Sequence, residues 1–306
     1  MKIAIAGAGG LIGHHLCREF QNLDYSVMRL LRPDSATPPA GSAGTEVIPW
    51  NPTRGELEAT RLEGFDLVIN LAGAGLADMR WTPQRKELLL SSREQPTGLI
   101  SRALAKLTSP PSLFLNMSAV GYYGALPPGG SADESHPRGR GFLAEVVARW
   151  EAATAPAVEA GVRTVLLRTG PVLAAEGGML ERMLPVFKAG IGGRLGSGRQ
   201  IISWVAVGEL LPALQHLLSH PELAGPVNLT SPGVVSNAEF TAALAKVLRR
   251  PALAIVPPFA LEAIYGEMAD EMLLKGARVV PARLLASGYE FRFPELRGAL
   301  RTILNR

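Results

Sequence analysis

A single cysteine, Cys17, occurs among the 306 residues. That excludes an internal disulfide and any zinc or iron–sulfur centre built on several thiolates, and it suits a reducing compartment, so the cytoplasm is the expected location. Long apolar runs are also missing: no stretch approaches the roughly 20 residues that carry a helix across a bilayer, and no membrane role is expected. The opening Met1-Lys2 and the apolar residues after it imitate a signal peptide, but Gly7, Gly9, Gly10 and Gly13 interrupt them and His14-His15 follow, so a buried strand and turn fit better. Aromatics make up only 6%, and the net charge of +4 is spread without a Lys/Arg block or a basic-aromatic stripe, which leaves nucleic acid without a footprint. Adjacent histidines on a helix point about 100° apart, and no carboxylate is spaced to complete a ligand set with His14 and His15, so no metal is expected.

What is present is an ordinary globular composition, 47% hydrophobic and 19% charged, on a chain longer than one hydrophobic core usually spans. Short runs rich in Val, Ile and Leu at Lys2–Ala6, Ser26–Leu31, Thr45–Ile48, Asp66–Leu71, Ser112–Met117 and Arg163–Arg168 read as strands buried on both faces. Amphipathic helical patterns lie between most of them. This alternation predicts an α/β fold, a Rossmann-type doubly wound parallel sheet. Leu11–Asn22 opens from the glycine turn, and Thr82-Pro83 reads as an N-cap with proline at the first helical position, with Pro96 expected to kink or split that helix. Past Gly170 the pattern changes. Gly190, Gly192, Gly193, Gly196 and Gly198 form a loop before Ile201–Val205, Ser236 and Glu239 have capping-box spacing ahead of a helix at Ala238–Leu248, and prolines at 251, 257 and 258 divide the C-terminal stretch into short elements. The expected organisation is a Rossmann domain over 1–175, to which some later segments return, and a smaller α+β substrate region over 176–306.

The first strand runs into Gly7-Ala8-Gly9-Gly10-Leu11-Ile12-Gly13. Gly7 permits the tight turn, Gly10 removes the side chain where a pyrophosphate approaches, and Gly13 lets the helix pack near the strand. The free N–H groups of Leu11 and Ile12 then face the anion. The second strand ends in Leu31-Arg32-Pro33, where an NAD site carries Asp or Glu for the ribose hydroxyls. A guanidinium at Arg32 pairs with a 2′-phosphate, so NADP(H) is favoured over NAD(H). Arg29 alternates away from that face.

Further along stand Val68-Ile69-Asn70-Leu71-Ala72-Gly73, Arg80-Trp81, Ser92-Arg93, the run from Ser118 to Gly124 with its paired tyrosines, and Leu167-Arg168-Thr169-Gly170. The Gly196–Gln200 loop, Ser203-Trp204, Gly225–Asn228, Asn237-x-Glu239-Phe240 and Leu274-Lys275-Gly276 complete the set. On these residues nearly the whole chain resembles the extended short-chain dehydrogenase/reductase superfamily. Within it, the chain resembles the epimerase-like family of uncertain substrate, of the NAD-dependent nucleotide-sugar epimerase type, with a C-terminal domain of unknown function. The resemblance implies that Leu71, Ala72 and Gly73 pass beside the adenosine and ribose, that Ser118 lies near the nicotinamide and the substrate oxygen, and that Thr169, Gly170 and Val172 border the nicotinamide. The residue types agree. Small residues closing a buried strand admit a flat cofactor, and a hydroxyl at the carboxyl edge can donate to a substrate oxygen.

The superfamily's Tyr-x-x-x-Lys pair is absent. The helix after Ser118 reads Phe142-Leu143-Ala144-Glu145-Val146-Val147-Ala148-Arg149-Trp150-Glu151. A phenol without that cation titrates near about 10, so its acid strength at neutral pH is lost together with a cofactor contact. Tyr122 and Tyr123 are the nearest replacements, with Tyr123 slightly preferred; the alternative is that they pack as aromatic walls. Glu145 offers either an acid/base group or an i,i+4 pair with Arg149.

Arg80 and Trp81, before the long helix, are candidates for a lid over substrate, and Arg199, Ser203 and Trp204 are candidate substrate contacts. Glu267, Asp270 and Glu271 near Lys275 read as a solvated helical face, with Met268 to Asp270 as a pocket wall on the family pattern. The leading reading is an NADP(H)-dependent oxidoreductase or epimerase acting on a small carbonyl or hydroxyl compound, a nucleotide sugar among the candidates. The other is a non-catalytic NADPH-binding sensor or regulatory protein. A homo-oligomer is compatible with the sequence and is not readable from it.

Overall fold

The computed structural model describes residues 1–32 and 47–306. Among them, eight strands form one sheet: β1 (Lys2–Ala6), β2 (Ser26–Leu31), β3 (Val47–Asn51), β4 (Glu56–Leu57), β5 (Leu67–Asn70), β6 (Leu113–Ala119), β7 (Thr164–Thr169) and β8 (Gly225–Leu229). Their order is β8-β7-β6-β5-β1-β2-β3-β4. All neighbours are parallel except β3 with β4, which closes the edge as an antiparallel pair. The strand order reverses between β1 and β5, so the crevice at their carboxyl ends is where an open α/β sheet takes a ligand.

Alternation places Ile3, Ile5, Leu67 and Ile69 on one face, under Leu16 and Phe20 of α1 (Leu11–Asn22) and under Leu210, Leu214 and Leu217 of the helix Leu210–Ser219. Ala4, Ala6, Val68 and Phe114 face the other way, under Leu99, Ile100 and Leu104 of α2 (Pro83–Leu104). β1, β2 and α1 keep the bounds expected from the sequence. The expected Thr45–Ile48 strand begins in the structure at Val47; Thr45 lies outside the described residues.

α2 is not split at Pro96. Thr97, one residue on, accepts hydrogen bonds from Asn70 Nδ2 at 2.8 Å and Trp150 Nε1 at 3.0 Å, so tertiary contacts hold the turn that proline weakens. Beyond residue 175 one further strand joins the sheet. β8 pairs with β7 over five residues, and its neighbouring helix covers the sheet. A separate core of Leu173, Leu180, Phe187, Trp204, Phe240, Leu244 and Leu300 supports the C-terminal region. The helix Asn237–Leu248 starts on the expected capping box, with Ser236 and Glu239 bonding each other's backbone N–H.

Candidate functional site

The β1–α1 turn is shaped by what its glycines omit. Gly7 has φ +78°, and a Cβ there would fall 2.6 Å from the Leu71 carbonyl carbon and 2.9 Å from Ala72 N, so the β5 loop lies directly against the turn. A Cβ on Gly13 would fall 2.4 Å from the Gly7 oxygen, which fixes α1 close to β1. At Gly9 a Cβ would meet nothing within 4 Å, and at Gly10 only the Gly7 oxygen at 3.6 Å. The missing side chains thus close the turn on the protein side and leave it open on the other. Gly10 gives α1 no side-chain cap, and no acidic residue occupies the first turn. An anion is the partner such a helix start lacks. A cleft of about 450 Å3 opens there, its lining including Gly9, Gly10, Leu11, Arg18, Glu176 and Gly177. These residues fit the diphosphate of a dinucleotide.

Leu71, Ala72 and Gly73 follow β5 at the switch point. Ala72 N donates to Asn70 Oδ1 at 3.2 Å and Ala74 N to Ser92 Oγ at 3.0 Å. The next carbonyls are held by side chains: Ala74 O by Arg93, Gly75 O by Arg85, Leu76 O by Trp81 Nε1 and Ala77 O by Arg182. Arg93 is only 8% exposed, and burial, followed by the charge of Arg85, pulls its pKa down to about 10.

Ser118 closes β6 and is buried. Its hydroxyl donates to Glu151 Oε1 at 2.6 Å, from α3 (Phe142–Ala152). Arg168 of β7 binds both Glu151 oxygens at 2.8 Å, and its third nitrogen donates to the Tyr123 hydroxyl at 3.1 Å. The guanidinium also lies 3.5 Å from the centre of the Tyr122 ring. Tyr123 has no exposed surface, and its hydroxyl donates in turn to Asn228 Oδ1 at 2.7 Å. Burial pushes its pKa up, against the opposing pull of Arg168. The phenol slightly preferred from sequence is therefore enclosed with its hydrogen bonds committed, and Tyr122 is the half-buried one of the two. The cation beside the two tyrosines is Arg168 of β7, already paired with Glu151. On α3 itself, Leu143 and Val147 are the side chains facing Gly121. Glu145 sits 4.0 Å from Arg149, which binds Glu94 more closely, so the ion-pair alternative describes it.

Thr169 ends β7 and Gly170 follows it. Thr169 is buried, its hydroxyl bonded to Leu167 O, and Gly170 N donates to Leu229 O. Val172 pairs with Val205, which ties the loop after β7 to the C-terminal region. Ser203 and Trp204, expected against substrate, are interior. The Ser203 hydroxyl donates to Ala277 O at 2.7 Å and accepts from Val279 N at 2.9 Å, and Trp204 is fully buried with Nε1 on Gly233 O. The partners of Ser203 lie more than 70 residues away along the chain, which local sequence does not disclose. Arg199 is exposed on its glycine loop. Arg80 donates to Ala263 O at 3.1 Å, which reaches the C-terminal region, and Trp81 packs edge-on against Phe142 at the start of α3. Glu271, read from sequence as solvated, accepts from Leu143 N at 3.2 Å and caps α3. Arg32, at the end of β2, is exposed. Among the described residues no group of three or more His, Cys, Asp or Glu could hold a metal ion, and no helix is long and apolar enough to cross a membrane.

Sequence reasoning missed Glu151, Arg168 and Asn228 as a unit. The available signal was an arginine at the end of a strand otherwise buried on both faces, where a charge must have a partner.

Comparison with known proteins agrees with this geometry. A model described as the NAD dependent epimerase/dehydratase family matches residues 3–229, and a domain of unknown function (DUF1731) matches residues 256–303. An epimerase family protein of Mycobacterium bovis is 42% identical over 298 residues, covering 97% of this chain and 96% of its own length. The human epimerase family protein SDR39U1 is 33% identical over 309 residues, covering 99% of this chain and 100% of its own. A crystal structure of human SDR39U1 (isoform 2) with NADPH superposes with a TM-score of 0.88 at 31% identity and covers 100% of both chains. The UDP-glucose 4-epimerase of Thermus thermophilus, solved with NAD, shares the fold at a TM-score of 0.75 and 18% identity, over 100% of this chain and 98% of its own. The glycine cradle at the β1/β5 switch point and the match over most of the chain lead to one conclusion: this protein belongs to the NAD dependent epimerase/dehydratase family.

Proposed function

We propose that the protein binds NADPH along the carboxyl edge of the sheet and acts as an oxidoreductase or epimerase on a small carbonyl or hydroxyl compound, a nucleotide sugar among the candidates. The observation that carries this reading is the uncapped start of α1 beside open space at Gly9 and Gly10. Arg32 at the end of β2 favours the 2′-phosphate, and the similar human protein was crystallised with NADPH. Bound there, the nicotinamide supplies or accepts hydride. With its proton on Glu151, Ser118 presents oxygen lone pairs that position a substrate hydroxyl. Tyr122, its ring against Arg168, is the phenol left to give or take a proton at that oxygen. The buried Cys17 suits the reducing cytoplasm proposed as the location.

Calorimetry with both pyridine nucleotides tests the cofactor assignment. Arg32→Ala is expected to weaken NADPH by about 10- to 100-fold, the worth of a charged hydrogen bond, with little change for NADH. Equal losses for both would remove the 2′-phosphate role. Turnover is then sought over a panel of carbonyl compounds and nucleotide sugars, following cofactor oxidation and sugar isomers together, because epimerisation leaves net cofactor unchanged. On any substrate found, Ser118→Ala should lower kcat about tenfold or more while NADPH affinity holds; an unchanged kcat would exclude Ser118. A non-catalytic NADPH sensor is the second reading, favoured by apolar Leu143 and Val147 facing the Ser118 loop. NADPH uptake without turnover over the whole panel would select it.

A further inference from the structure

One end of the C-terminal region combines exposed aliphatic side chains with cations and no acid. The helices Gly178–Lys188 and Asn237–Leu248 share the core of Leu184, Phe187, Leu244 and Val247. Each leads within a few residues into a strand, Gly193–Leu195 and Ala254–Val256, and these two strands pair in parallel with Gly193 opposite Ala254. Both helix ends and both strand starts therefore meet at one place. Ala254 N donates to Gly192 O at 3.2 Å, and a Cβ on Gly190 would lie 3.5 Å from the Pro251 ring, so the two connections touch. Along them Ile191 is 67% exposed and Leu253 88%, with Ile255 just behind at 56%. Lys188 precedes Ile191 by three residues, Lys246, Arg249 and Arg250 come just before Leu253, and all four are exposed. Among the described residues none of the four is in an ion pair. No Asp or Glu occurs from Arg182 to Leu195 or from Phe240 to Leu261.

Charge decides which partner fits. A second copy meeting this end through a two-fold axis would set four cations against four, and like charges repel. Nucleic acid would satisfy the cations, but Ile191, Leu253 and Ile255 are aliphatic and give a base no ring to stack on. Aliphatic side chains among cations match a surface that is anionic outside and apolar just beneath. We propose that this end rests on the anionic headgroup layer of a phospholipid membrane, with Leu253 and Ile191 entering the boundary between headgroups and acyl chains and the four cations lying against lipid phosphates. The lack of a helix long enough to span, from which no membrane role is expected, bears on crossing a bilayer and not on resting against one. The proposal does not depend on the function proposed above.

The test is co-sedimentation of the full chain with vesicles of phosphatidylcholine alone and of equal parts phosphatidylcholine and phosphatidylglycerol, at low and at physiological salt. The chain is expected to bind the anionic vesicles, to leave the neutral ones nearly bare, and to bind less as salt rises. Leu253→Ser should weaken binding about tenfold, the worth of one buried aliphatic side chain. Lys246→Gln and Arg250→Gln should each weaken it about fivefold. Arg249 is left unchanged because it ends its helix at φ +54°. The varied side chains are exposed, so each variant should melt as wild type does, which is checked first. Lys106→Gln removes an exposed cation just past α2, on the other core, and should bind the vesicles as wild type does. Wild type that stays in solution with both kinds of vesicle at low salt would overturn the proposal. So would binding that Lys106→Gln weakens as much as Arg250→Gln, which is attraction by net charge without a site. Two further results would overturn it and name another occupant. Without vesicle binding, a dimer in sedimentation velocity that Leu253→Ser abolishes would assign this end to a second copy. Capture by polyglutamate instead of vesicles, lost in Arg250→Gln, would assign it to an acidic protein.

Discussion

Replacing Glu151 with alanine is expected to cost about 3–5 kcal/mol of stability, the loss seen when one partner of a buried ion pair is removed. Arg168 is 3% exposed and the Glu151 side chain 9%, so water cannot replace the missing carboxylate. Burial alone would pull the guanidinium pKa down, but the Glu151 hydrogen bonds and charge outweigh it and hold the pKa above its ordinary value. Without Glu151 that compensation ends, while Tyr123 and the Tyr122 ring, both uncharged, stay beside the cation. The thermal midpoint should fall by about 6 °C or more. Glu151→Gln, which keeps one acceptor, should fall between wild type and alanine. The double change Glu151→Leu with Arg168→Met should lie well above Glu151→Ala, because the pair's own net contribution is small once desolvation is counted. A midpoint for Glu151→Ala within about 1 °C of wild type would mean the pair does not hold β6, β7 and α3 together.

That network shows why part of the site escaped sequence reading. β1, β2 and α1 were legible because their signals are local: a run of buried apolar residues, a glycine turn, then a helical period. The Arg168–Glu151 pairing joins a strand to a helix 17 residues earlier, and Asn228 enters from a strand about 60 residues later, so no window along the chain contains the set. β8 was unreadable for another reason. Gly225 and Pro226 at its start resemble a turn, yet Gly225 to Leu229 pair with β7 because β7 offers an unpaired edge. Ser203 and Trp204 stand in a short apolar run after the glycine loop, where the family resemblance places substrate contacts, and only the return of Ala277 to Val279 turns Ser203 inward. Glu271 likewise looks solvated until the C-terminal region is folded over α3.

The glycines of the first turn should separate folding from ligand binding. Gly7→Ala and Gly13→Ala are expected to prevent stable folding or to lower the melting midpoint severely. The new Cβ at residue 7 meets the Leu71 and Ala72 backbone, and the one at residue 13 meets the Gly7 oxygen and Ala8 Cα at 2.4 and 2.7 Å. Backbone on both sides belongs to adjacent central strands or to the turn itself, so relief requires parting β1 from β5 or lifting α1. At residue 7 the positive φ adds strain that an L side chain does not tolerate well. Gly10→Ala meets neither obstacle. Its φ of −78° suits alanine, and its Cβ would enter open space. The native fold should therefore persist, with at most the roughly 1 kcal/mol that alanine costs at an N-cap. The methyl would instead stand where the anion approaches the Leu11 and Ile12 amides, and NADPH affinity should drop about 100-fold, comparable to losing a charged hydrogen bond. Melting curves and NADPH titrations on the three variants check both halves. Full-affinity NADPH binding by folded Gly10→Ala would move the anion away from α1, and with it the reading of the whole cleft.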